Sequence, residues 1–134
     1  MTSAHATFDG AGTFVGSSFV YATARDYARF GQLYLQDGVW EGERLLPEGW
    51  VDHARRFRNT DEETGNGYGA HWWTLAGDNP HGLFWASGFE GQSILVVPTL
   101  DLVVVRLGKT ESERGPLLKQ WRADVVDAFA RTKV

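Results

Sequence analysis

No cysteine occurs anywhere in the chain, which removes disulfides, thiolate nucleophiles and cysteine-ligated zinc together. Positive charge is also scarce: Lys and Arg number 13 against 17 Asp and Glu, a formal charge of -4. Nucleic acid and anionic membrane surfaces need clustered cations. The only cluster, Arg55, Arg56 and Arg58, is too small for that and reads as a solvated helix end. Long apolar runs are missing too. Ile94 to Val97 and Leu102 to Val105 have strand length, whereas a spanning helix needs about 20 apolar residues. Met1 to Gly12 carries no apolar core of a signal peptide, so a soluble, cytoplasmic chain is expected. What remains is 134 residues with 43% hydrophobic and 22% charged content, the make-up of one globular domain.

Periodicity divides the chain into a helical segment over residues 1–60 and an antiparallel sheet with a C-terminal helix over 61–134. Thr23-Ala24-Arg25-Asp26 has the form of a capping box with Asp in the fourth place. Tyr27, Phe30, Leu33 and Tyr34 then give one apolar face, and Asp37-Gly38 ends the helix. Glu41-Gly42-Glu43 is a tight turn, and Pro47 opens a short second helix. Asn59 to Gly67 reads as a loop. Strands follow at Tyr68 to Leu75, Leu83 to Ser87, Gln92 to Val97 and Leu102 to Leu107, separated by Gly- and Pro-containing turns. Pro116 opens the last helix, whose Leu117, Leu118, Trp121, Val125 and Phe129 form the face expected to pack across the sheet. The fold class is α+β.

Most tests for chemistry fail on position. Gly108-Lys109-Thr110 ends like a phosphate-binding loop, but Val103 occupies the place of its first glycine. His5, His53, His71 and His81 lack metal-ligand spacing, and Asp61, Glu62 and Glu63 lack the alternation of a calcium loop. No metal or cofactor is implied. No Gly-x-Ser-x-Gly elbow exists, no Ser or Thr precedes a Lys by three residues, and no Tyr precedes an Asn by two. One helical turn is the spacing that sets a lysine amine beside the hydroxyl it deprotonates. Ala86-Ser87-Gly88-Phe89-Glu90-Gly91-Gln92 remains, between two strands. Glycines there free a backbone N–H to point outward, where it stabilises an oxyanion by on the order of 3 kcal/mol. A glycine-rich bulge explains the same residues.

The ordered set of segments carries more information than any one of them. Thr13-Phe14-Val15-Gly16-Ser17-Ser18, Tyr21 to Gly31, Leu33-Tyr34-Leu35, Asp37-Gly38, Trp40, Gly42 and Leu45-Leu46-Pro47 follow one another, then Tyr68-Gly69 and Trp72-Trp73. Gly88-Phe89-Glu90-Gly91-Gln92, Pro98 and Asp101 to Val105 complete the set. This order resembles the C-terminal portion of serine hydrolases related to β-lactamases and penicillin-binding proteins, in particular the 6-aminohexanoate-oligomer hydrolase and esterase branch.

The resemblance implies the β-lactamase/transpeptidase-like fold and acyl transfer through an acyl-enzyme. Ala86, Ser87 and Gly88 stand where the family has Lys-Thr-Gly or His-Thr-Gly. Ala86 therefore departs from the basic residue, which favours a small-molecule ester or amide substrate over a penicillin carboxylate. By the same resemblance the Phe89 N–H is one oxyanion donor and the nucleophilic serine supplies the other. Ser87 and Glu90 face substrate, and Gln92 supports the loop. The family's Ser-x-x-Lys and Tyr lie upstream of the matched region. A fragment that is inactive alone is therefore expected, forming a homo-oligomer or pairing with its missing N-terminal half. A non-catalytic binding module on the same scaffold, with Trp72, Trp73 and Trp85 as an aromatic platform, is the competing reading.

Overall fold

The computed structural model describes residues 1–16 and 18–132; Ser17 of the Thr13–Ser18 segment lies outside them. Two short strands, β1 (His5–Ala6) and β2 (Val20–Tyr21), pair antiparallel and lead into helix α1 (Ala24–Leu35). Thr23 caps α1, its hydroxyl accepting from Asp26 N. The box closes indirectly. Asp26 is one methylene too short to reach back to Thr23, so its carboxylate accepts from Ser3, whose Oγ takes the Thr23 N–H at 3.0 Å. Gly38, at φ 78, ends the helix by donating to Leu33 O.

Strands β3 (Val39–Trp40) and β4 (Glu43–Arg44) form a hairpin across Glu41 and Gly42, both at positive φ, the geometry a two-residue hairpin turn demands. Helix α2 (Trp50–Arg55) begins three residues later than the Pro47 start expected from sequence. Pro47 instead accepts from Trp50 N in a turn, and Gly49 adopts the left-handed N-cap conformation.

The main sheet is a six-stranded antiparallel meander made of β5 (Asn59–Thr60), β6 (Gly67–Tyr68), β7 (Trp73–Thr74), β8 (Phe84–Gly88), β9 (Gln92–Val97) and β10 (Leu102–Arg106). Two sequence expectations change here. Asn59 to Gly67 is a hairpin rather than a free loop, because Asn59 and Thr60 register with Tyr68 and Gly67. The Tyr68 to Leu75 strand breaks in two, since His71 takes a φ of 68 and Gly69 N bonds Trp72 O across the bend.

Side-chain alternation along β8 and β9 feeds two cores. Phe84 and Val96 face α1 and α2, joining Val51, Ala54 and Trp72, with Phe30 and Tyr34 packed against them. Leu95 and Val97 face the opposite side with Leu100 and with Val126 of helix α3 (Gly115–Thr132). Each such side chain contributes about 1.5–3 kcal/mol on burial. Helix α1 approaches closely at Gly31, where a Cβ would lie 2.7 Å from Val103 Cγ1.

Helix α3 packs by a face rotated from the expected one: Leu118 turns inward as expected and Val125 is half-buried, but the other three do not pack. Leu117 is 70% exposed, and Trp121 and Phe129 are also exposed. The side turned inward holds Leu118, Arg122, Val126 and Ala130. Leu118 reaches Gly91, and Arg122 donates to the Gly91 carbonyl, and these contacts set the helix's rotation. Among the described residues no helix is long and apolar enough to cross a membrane.

Candidate active site

The glycine-flanked segment sits at the tip of the β8–β9 hairpin. The ladder's last pair is Gly88 with Gln92, so Phe89, Glu90 and Gly91 form a turn beyond it. On its other side β8 has even less support: β7 pairs with Phe84 and Trp85, and among the described residues no strand pairs that edge of Ala86, Ser87 and Gly88. Glu90 and Gly91 both take positive φ, 59 and 87. Glycine tolerates this and an L-residue does so only under constraint.

The constraint comes from beneath. Arg106, at the end of β10, donates through Nη1 to Glu90 O at 3.1 Å, Gly91 O at 3.0 Å and Gly108 O at 2.6 Å. Its Nη2 donates to Thr110 Oγ1. Thr110 N also donates to Glu90 O. Gln92 donates to Phe89 O and Gly108 O while its Oε1 accepts from Gly108 N. From α3, Arg122 adds a 3.3 Å bond to Gly91 O. The turn's carbonyls are thus directed inward. Phe89, by contrast, lies just past the last ladder pair, Gly88 with Gln92, and is 88% exposed.

The two arginines are electrostatically unusual. Neither Arg106 nor Arg122 has a carboxylate within 4.0 Å among the described residues. Burial pushes the Arg122 guanidinium below its ordinary pKa, and repulsion from Arg106 adds to this. Glu90, the nearest acid in the turn, faces Lys109 at 3.6 Å instead.

The expected site residues do not converge on one pocket. Ala86 packs with Phe84 and Val96 on the α1 side, whereas Ser87 is exposed and lines a groove beneath α3. Gly88 and Phe89 occupy the open tip. Trp72 is a core residue, 4% exposed and packed against Tyr34 and Phe84, while Trp73 and Trp85 line the same groove as Ser87. His53 contacts Arg58 and His81 contacts Thr99. No group of acids and histidines suited to a metal occurs among the described residues. Asp61 caps the turn at Thr64, whose hydroxyl and N–H lower its pKa.

Arg106 and Arg122 had no motif to announce them. The one available signal was a cation closing an otherwise apolar strand, Leu102-Val103-Val104-Val105-Arg106.

Comparison with known proteins gives consistent matches. The family model described as "Beta-lactamase" matches residues 2–128. A 6-aminohexanoate-dimer hydrolase of Paenarthrobacter ureafaciens is 31% identical over 75% of this chain and 28% of its own length. The structure of a putative 6-aminohexanoate-dimer hydrolase from Bacillus anthracis superposes with a TM-score of 0.76 at 25% identity, covering 96% of this chain and 34% of that one. The chain therefore spans about a third or less of the length of these relatives.

Proposed function

Because the chain belongs to the beta-lactamase family, we propose that it supplies the oxyanion-side wall of a serine hydrolase that cleaves esters or amides through an acyl-enzyme. The observation that carries this is Phe89: it stands past the last ladder pair, on a turn whose carbonyls are held by Arg106, Gln92 and Arg122.

The chemistry follows from that placement. A serine hydroxyl attacks the substrate carbonyl, and negative charge develops on its oxygen. An N–H already fixed in direction stabilises that charge without reorganising, which is where electrostatic catalysis gets its magnitude. Collapse of the tetrahedral species expels an alcohol or amine, and water then releases the acid from the acyl-enzyme. In this reading the serine and its lysine belong to polypeptide beyond these 134 residues, since no Ser or Thr here precedes a Lys by three. The substrate lies along the open edge of Ala86 to Gly88, within reach of Ser87 and Glu90. Ala86 brings no cation to that edge, so a neutral ester or amide fits better than a penicillin carboxylate. The relatives named for hydrolysing the 6-aminohexanoate dimer support an amide.

The same reading assigns a role to two unpartnered surfaces. β10 ends the sheet, its outer edge unpaired among the described residues, and α3 exposes Leu117, Trp121 and Phe129. These are surfaces for the remainder of the hydrolase, or for a second copy in its absence.

The test is a chimera in which this chain replaces the matching C-terminal part of the Paenarthrobacter ureafaciens relative, assayed on p-nitrophenyl esters. Phe89→Pro removes the N–H and is expected to lower kcat by about 100–1,000-fold, whereas Phe89→Ala, which keeps it, stays within a few-fold. Equal activity of the two variants would refute the assignment.

A further inference from the structure

We infer that the groove between the sheet and α3 is a binding site for a small amphipathic carboxylate. It holds about 580 Å³, within the range of ordinary small-molecule sites. Trp73, Leu83, Trp85 and Leu95 form the sheet wall, and Ala123 and Val126 form the helix wall. Trp73 and Trp85 are directly paired across β7 and β8, so their rings share this side of the sheet. Such walls take an aliphatic or aromatic body.

Charge selects the head group. Lys119 and Arg122 project from successive turns of α3 into the groove, with Asp127 as the one acid among its lining residues. Asp127 lies within 4.0 Å of neither cation. Arg122 is half-buried; among the described residues its Nε is enclosed without a hydrogen-bond partner, and its guanidinium bonds Gly91 O alone, at 3.3 Å. Arg106 stands close enough to lower its pKa further. A desolvated cation beside a second cation is costly unless an anion compensates it, and the chain's own described residues bring no carboxylate to it. A monocarboxylate entering the groove places its apolar body between the two tryptophans and the helix, and its charge beside Arg122 and Lys119. Ser87 Oγ lines the same space. The groove lies under α3 rather than at the open hairpin tip, although Ser87 and Arg122 belong to both, and the titrations below read binding to the chain rather than catalysis.

Octanoate and 1-octanol are matched probes, equal in chain length and different in charge. The 134-residue chain is titrated with each, reading tryptophan fluorescence and heat of binding. Octanoate is expected to bind at least about tenfold tighter than 1-octanol, a difference of the size of one charge-assisted hydrogen bond. Arg122→Gln is expected to erase that preference, and Lys119→Gln to reduce it. Ala123→Trp alters an exposed helix position and is expected to fill the groove and block both probes. Should Arg122→Gln not fold, Lys119→Gln and Ala123→Trp still decide the matter. Equal binding of the two probes, or octanoate binding that survives Ala123→Trp, overturns the assignment.

Discussion

Gln92 and Gly108 hold each other by a two-way bond: Gln92 Nε2 donates to Gly108 O at 2.8 Å, and Gly108 N donates to Gln92 Oε1 at 2.8 Å. A side-chain amide thereby extends the β9–β10 ladder past its last backbone pair, Arg106 with Ser93. The same amide reaches Phe89 O, coupling the end of β10 to the hairpin tip. Gln92→Ala removes three hydrogen bonds at a half-exposed position. Stability measured by urea denaturation is expected to fall by about 1–2 kcal/mol, with faster amide exchange confined to residues 89–91 and 108. Unchanged exchange there contradicts the coupling.

Gly91 tests the turn from the other side. A Cβ at this position would lie 2.5 Å from Leu118 Cδ2 and 2.9 Å from Arg106 Nη1, on a backbone already at φ 87. Gly91→Ala combines positive-φ strain with a clash, each of order 1 kcal/mol or more. A drop of about 2–4 kcal/mol is expected, together with loss of α3 docking visible as altered Trp121 fluorescence.

Gly31 sets the distance between α1 and the sheet. Alanine has the better helix propensity by about 1 kcal/mol. Against that, its methyl would meet Val103 Cγ1 at 2.7 Å and Ile94 Cγ2 at 3.0 Å, and both neighbours are β-branched and stiff. Overpacking of about 1–3 kcal/mol outweighs propensity, so Gly31→Ala is expected to lower the thermal midpoint. A raised midpoint would mean the helix has room to move outward.

Asp26 makes stability depend on acid. The Ser3 hydroxyl and N–H, with Arg29, hold its carboxyl far below the ordinary 3.8. The unfolded chain therefore takes up this proton first as pH falls, and protonation favours unfolding. The stabilisation is complete above about pH 4 and is lost progressively below it. Asp26→Asn is expected to be less stable at pH 7 and to show a flatter decline between pH 4 and pH 2, read from urea midpoints. Parallel declines in the two proteins exclude Asp26 as the source.

Self-association is predicted from the β10 edge, unpaired among the described residues, and from the exposed Leu117 and Trp121. Light scattering of the chain alone is expected to show mass rising with concentration, and Leu117→Glu with Trp121→Glu to suppress it. A monodisperse monomer across the concentration range rules the surface out.

Local chemistry was legible without coordinates. The Thr23 cap, the Gly38 stop, the turn at Glu41-Gly42 and strand Gln92–Val97 depend on neighbours within a few residues, so composition and spacing announce them. The glycines around Phe89 marked the hairpin tip for the same reason. The rotation of α3 was not legible. Its two candidate faces both carry apolar residues, and the choice between them is made by Leu118 on Gly91, Arg122 on Gly91 O and Val126 in the sheet core. Strand alternation puts Ala86 and Ser87 on opposite sides of the sheet, but the sequence did not indicate which side would be a core and which a groove. Sequence by itself determined the turns and caps built from neighbouring residues, such as the Thr23 cap and the Gly38 stop, because those choices are short-range, whereas the pairing of Asn59-Thr60 with Gly67-Tyr68 and the break at His71 were not legible in it. Only the tertiary structure decided which side chains meet, because Arg106, Arg122 and the hairpin tip come together from residues up to 31 positions apart, and no local pattern encodes such a distance.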